Sequence, residues 1–123
     1  MKATAHFKPE EFDSPDANGS GAKKMKQEFI DRLEELRTRC GFAFQINSGY
    51  RTRAHNRKVG GVEPSVHEDG VAADIAAPTG QMKFAIVHHA MKMGFRRIGI
   101  GKTYVHVDMG GPSYPQDVIW LYS

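Results

Sequence analysis

The run Val71-Ala72-Ala73-Asp74-Ile75-Ala76-Ala77 sets one carboxylate at the centre of an otherwise apolar segment. A buried carboxylate is costly unless it is paired or holds a metal. On a strand, successive side chains alternate between the two faces. Ala72 and Asp74 then share one face while Ala73 and Ile75 take the other. The small side chains beside Asp74 leave the room that a ligand needs.

Two flanking segments offer it company. Ser65-Val66-His67-Glu68-Asp69-Gly70 precedes the run, and Tyr104-Val105-His106-Val107-Asp108 follows it well downstream. His67, Asp74 and His106 therefore fall on three different short elements. A lone histidine is more often a core or surface residue than a ligand, so the joint pattern carries the reading. Two imidazoles and one carboxylate suit a catalytic Zn²⁺, because three protein ligands leave one position for water. Water bound there titrates near about 7 instead of about 15.7, which provides a nucleophile at neutral pH. The pattern implies a metal-dependent hydrolase.

Further blocks carry a resemblance. Ser48-Gly49-Tyr50-Arg51-Thr52, His55-Asn56, Val59-Gly60-Gly61, Ser65-x-His67-x-x-Gly70-x-Ala72-x-Asp74-Ile75 and Val105-His106-Val107-Asp108 stand in order along the chain. In identity and spacing they resemble the zinc D-Ala-D-Ala carboxypeptidases. That metallopeptidase group includes phage endolysins and the vancomycin-resistance D,D-dipeptidase, and its fold is shared by the hedgehog signalling domain. The likeness runs from His6-Phe7 and Glu11-Phe12 to about Met109. It implies Zn²⁺ held by His67, Asp74 and His106, with Arg51 over the site to stabilise the charged tetrahedral intermediate. It also implies a peptidoglycan stem peptide containing D-amino acids as substrate, cut at a terminal D-Ala or at a cross-link. In better-known relatives the acid/base carboxylate lies three residues before the last histidine ligand, where this chain has Thr103. The residue two before that ligand, often histidine, is Tyr104 here. Asp108 shares a strand face with His106 and is the first choice for the general base, with orientation of an imidazole N–H as its other role. Glu68 and Asp69 stand behind it.

Arg51 has a planar fork that can clamp a substrate's terminal carboxylate or offset an oxyanion. Tyr50 and Ser65 are further expected substrate contacts, with loop capping as the competing role of Ser65. His55 and Asn56 are expected to tie a short helix to the Gly60-Gly61 loop, and Arg53 and Arg57 to lie on the surface. His88 and His89 diverge by about 100° on a helix, one toward the core and one toward solvent. Tyr114, Trp120 and Tyr122 are expected to pack in the core or at an edge, with the wall of a substrate groove as their other role. A competing reading keeps the metal without catalysis, as a wall-binding or structural module, and Thr103 supports it. A nucleic-acid binder using Arg51, Arg53, Arg57 and Lys58 accounts for the basic cluster but for neither Asp74 nor His106.

A chain of 123 residues is expected to form a single zinc peptidase domain over 1–123 with one core. Its net charge of +3 suits an anionic wall and is too weak to argue for nucleic acid. The single cysteine, Cys40, excludes an internal disulfide and a cysteine-based zinc site. Met1-Lys2-Ala3-Thr4-Ala5-His6 lacks an apolar signal core, and no run approaches membrane-spanning length. The expectation is a monomer without membrane insertion, made in a bacterial host's cytoplasm, that reaches the wall by phage or prophage lysis or on a virion.

The spacing predicts a helical turn at Lys8–Phe12, a loop over 13–21, and a helix over 22–39 with Met25, Phe29, Leu33 and Leu36 on one stripe. A strand follows over 43–47, then a short helix over 52–58 and a loop that delivers His67. A second long helix spans 81–93, strands at 97–100 and 104–109 form a hairpin, and 118–122 is an apolar edge strand or a packed segment. The class is α+β: a small antiparallel sheet carrying the zinc site, flanked by two main helices and short N-terminal elements.

Overall fold

The computed structural model describes residues 1–122, and a five-stranded sheet organises them. The strands are β1 (Ile46–Ser48), β2 (Ala72–Ala76), β3 (Arg97–Ile100), β4 (Tyr104–Asp108) and β5 (Val118–Leu121). Their order across the sheet is β1-β2-β4-β3-β5, antiparallel at every pair except β3–β5, which is parallel. β5 is thus the expected edge strand, and it is the one that breaks the antiparallel pattern.

The helices are α1 (Ser20–Lys24), α2 (Gln27–Cys40), α3 (Arg53–Lys58) and α4 (Gly80–Lys92), after a 3₁₀ turn at Pro9–Phe12. Phe29, Ile30, Leu33 and Leu36 of α2 are buried together with Ile86 and Ala90 of α4. These side chains meet Ala73, Ile75, Ala77, Ile98, Val105 and Val107 from the sheet in one apolar cluster. The alternation anticipated for 71–77 therefore holds: one face of β2, β3 and β4 closes the core. The other face carries Ala72, Asp74, Arg97, Gly99, Tyr104, His106 and Asp108.

Two boundaries differ from the sequence reading. The helix expected over 22–39 is interrupted at Met25, whose backbone is extended, so α1 and α2 are separate. Met25 is buried, and the Lys26 N–H leaves the helical ladder to bond the carbonyl of Gly70 at 2.9 Å. Gly70 sits at φ +72°, and a Cβ there would strike the Lys24 carbonyl, so only glycine lets the two segments meet. The strand expected over 43–47 begins only at Ile46, because Phe44 turns into an aromatic cluster with Phe7 and Phe42. Thr79 caps α4 and Thr52 caps α3, each accepting a backbone N–H at 3.1 Å. No helix among the described residues is long and apolar enough to cross a membrane.

Candidate metal centre

Cross-strand register brings the first two groups together. Asp74 pairs with His106 directly across β2 and β4, which sets their side chains next to each other on the sheet's open face. His67 arrives from a tight turn in which Glu68 N–H bonds Ser65 O at 3.0 Å and Asp69 N–H bonds Val66 O at 3.1 Å. The Ser65 hydroxyl accepts the His67 N–H at 3.2 Å, and Arg51 N–H holds the His67 carbonyl at 3.1 Å. His67, Asp74 and His106 are all buried, and their ligand atoms lie within 4.8 Å of one another.

The hydrogen bonds behind these groups decide which nitrogens face inward. His67 Nδ1 lies 2.7 Å from the Gly49 carbonyl, which can only accept, so Nδ1 carries the hydrogen. Nε2 is left facing Asp74 Oδ1 at 3.4 Å. His106 is reversed: Nε2 donates to Asp108 Oδ2 at 2.6 Å, and Nδ1 faces Asp74 Oδ1 at 2.8 Å. Each imidazole thus has its outer nitrogen tied to an oxygen and its inner nitrogen turned to the same carboxylate oxygen. Metal-ligating histidines are held in this way. The donor set and its outer partners fit a divalent cation such as zinc.

Protonation follows from the same contacts. Burial alone would raise the Asp74 carboxyl, but its imidazole partners, His106 foremost and then His67, outweigh it and hold the group well below the ordinary carboxylate range. For His67 burial wins over the pull of Asp74 and lowers its pKa, which favours the neutral form. For His106 burial is outweighed by hydrogen bonds to Asp108 and Asp74, and its pKa rises. Asp108, pushed up by burial, is brought below its usual value chiefly by His106, with help from Gly110 N–H and Arg97.

A cleft of about 670 Å³ opens over this centre. Its floor holds His67, Asp74, His106, Arg51 and Arg97; residues 59–62 and 64–66 border one side, and Tyr104, Tyr114, Trp120 and Tyr122 supply the rest of the wall. Arg51 lies in the cleft, with Nη2 3.3 Å from Asp74 Oδ2 and Nε 3.0 Å from the Ser48 hydroxyl. Ser65 lines the cleft and also caps the His67 turn. Asn56 is buried and bonds the Val62 carbonyl at 3.1 Å, tying α3 to the loop.

Two expected roles sit poorly with this geometry. Tyr50 is not among the residues lining the cleft; its N–H is fixed on the Phe12 carbonyl at 2.9 Å and its ring packs against the apolar core. Asp108 lies on the far side of His106 from Asp74, with both oxygens engaged by His106, Arg97 and Gly110. A general base needs a lone pair within reach of the proton it takes, and Asp108, 1% exposed, presents none to the cleft. Asp69 accepts from the Tyr114 hydroxyl at 2.8 Å, and neither it nor Glu68 lines the cleft.

Sequence reasoning passed over Arg97 and Gly99. Arg97 is a cation within the otherwise apolar strand Arg97–Ile100, in register with Asp108. That is the signal that singled out Asp74, read one strand further. A Cβ on Gly99 would come within 2.6 Å of Trp120 and Tyr122, so the glycine is what lets both rings lie against the sheet.

Residues 5–108 match the family model of peptidase M15. The chain belongs to the M15 peptidases. No curated protein matches it. Membership makes this chain, at the level of the family, a zinc metallopeptidase directed at peptidoglycan. The matched stretch of this M15 peptidase contains the whole His-Asp-His cluster, while Tyr114, Trp120 and Tyr122 of the cleft wall lie beyond it.

Proposed function

We propose that this M15 peptidase hydrolyses an amide bond in peptidoglycan stem peptides that contain D-amino acids, as a D,D-carboxypeptidase or a cross-link endopeptidase. The observation that carries the reading is the convergence of His67 Nε2, Asp74 Oδ1 and His106 Nδ1 at the floor of an open cleft. These three would hold Zn²⁺, which when bound supplies an activated water and polarises the scissile carbonyl.

The remaining roles belong to the chain's own side chains. Arg51 anchors Asp74 and presents its charge to the cleft, where it offsets negative charge developing on the carbonyl oxygen. Loss of one such donor costs about 3 kcal/mol in other enzymes. Tyr104 is on the same strand face as His106, and burial raises its hydroxyl pKa, so it remains a hydrogen-bond donor at neutral pH. Asp108 orients His106 instead of taking a proton. Ser65 fixes the His67 turn and borders the substrate.

The test is digestion of purified peptidoglycan with and without a chelator, read by mass spectrometry of the fragments. Release of D-Ala or of new free amines, lost on chelation and in His67→Ala while the circular dichroism is kept, is the expected result. Full-rate digestion by the chelated protein would end the metal reading.

A second reading is favoured by one observation. Among the described residues lining the cleft, Asp74 is the one carboxylate. A domain that holds metal and stem peptide without cutting fits that lining, and it predicts saturable binding of wall fragments with no new amines.

A further inference from the structure

We propose that Arg97 is a positioning residue of the metal centre, acting on His106 through Asp108. The proposal rests on the reading that His67, Asp74 and His106 hold a metal, and it assigns a role that none of those three performs.

Arg97 is 9% exposed, which is deep for a guanidinium. Its Nε donates to Asp108 Oδ1 at 2.7 Å and its Nη1 to the Pro115 carbonyl at 2.6 Å. The guanidinium carbon lies 5.1 Å from the ring centroids of both Tyr114 and Trp120. Charge, two directed hydrogen bonds and two aromatic faces together fix one orientation.

Asp108 receives that orientation. Oδ1 is filled by Arg97 and by Gly110 N–H at 2.8 Å, so Oδ2 has a single direction, toward His106 Nε2. Nε2 therefore keeps its hydrogen, and Nδ1 is the nitrogen that faces Asp74. Were Asp108 free to turn, the imidazole could exchange tautomers and present an N–H where a lone pair is needed. Once a metal takes the lone pair of His106, Arg97 is also the cation that balances the buried Asp108. The stack places the 109–122 segment in the same chain of contacts, so residues beyond the family match help to set a ligand within it.

The test measures metal affinity on the full chain by competition with a chromophoric chelator, using Zn²⁺ and Co²⁺. Arg97→Gln is expected to weaken binding about 10- to 100-fold, the range seen when an outer partner of a ligand is lost. Arg97→Lys keeps the charge without the fork and is expected to fall between the two, which covers the case in which Arg97→Gln does not fold. Arg96→Gln, which removes an exposed pair with Asp117, is expected to stay within about twofold of the unaltered protein. In the folded metal-free variants, at a pH alkaline enough for both rings to be neutral, ¹⁵N spectra of the imidazoles should show His106 losing its Nε2–H preference while His67 keeps its own. A general loss of packing would not produce that selectivity. Unaltered affinity in either folded Arg97 variant overturns the assignment and leaves the metal reading intact. Absence of metal binding by the unaltered protein overturns both.

Discussion

The His67, Asp74, His106 and Asp108 side chains form a buried ionic cluster whose charges work in different directions, and the sign of each can be followed. Depressed carboxyls such as Asp74 and Asp108 contribute stability above their unfolded value of about 4, lost as pH falls through the folded one. His67, lowered by burial, is penalised when it must be charged, so it gains as pH rises toward about 6.5. His106, raised, contributes below about 6.5 and loses that contribution as pH climbs through its folded value. The chelated protein should accordingly melt highest near about pH 6.5. Metal should remove the alkaline decline by taking the place of the His106 proton. Scanning calorimetry from pH 4 to 9 checks this, and a melting temperature still rising at pH 8 without metal contradicts it. At this scale the His67-Asp74-His106 cluster was legible because a carboxylate in an apolar run demands partners, and the place of Arg51 beside it because its motif block was matched. The contacts of Asp108 were not legible: strand alternation puts it on the face of His106 but does not say which of its oxygens are already taken.

Elements were legible wherever periodicity alone decides them. α4, the β3–β4 hairpin and α3 formed near their expected limits, and α2 kept Phe29, Leu33 and Leu36 on one stripe with a later start. What periodicity cannot carry is a contact from elsewhere in the chain. The Met25 break exists because Lys26 pairs with Gly70, a residue remote in sequence, and that junction also braces the turn that delivers His67. Gly70→Ala should therefore cost more than about 1 kcal/mol, combining a positive φ with a backbone clash. Urea unfolding of the metal-free protein measures it. A cost below a few tenths would mean that the α1–α2 junction yields freely. The same substitution should lower metal affinity more than a core truncation of equal cost far from the turn.

For the whole molecule, the sheet divides the work. One face is given to the helices, and the other, free of large aliphatic side chains on β2 and β4, is given to chemistry. That division followed from the alternation around Asp74, whereas the strand order and the parallel docking of β5 did not, since both depend on a crossover that local patterns do not encode. β5 and the residue after it send Trp120 and Tyr122 across Gly99 and over the site, the groove-wall arrangement weighed against core or edge packing. Trp120 is the chain's single tryptophan, and its ring centroid lies 5.4 Å from that of His106. The indole's emission should therefore report ion uptake directly, its intensity shifting as the neighbouring imidazolium gives up its proton, with saturation at one equivalent. A fluorimeter and an unlabelled sample then suffice to titrate the centre, because the fold has installed its own optical gauge beside the ligand it would need to watch.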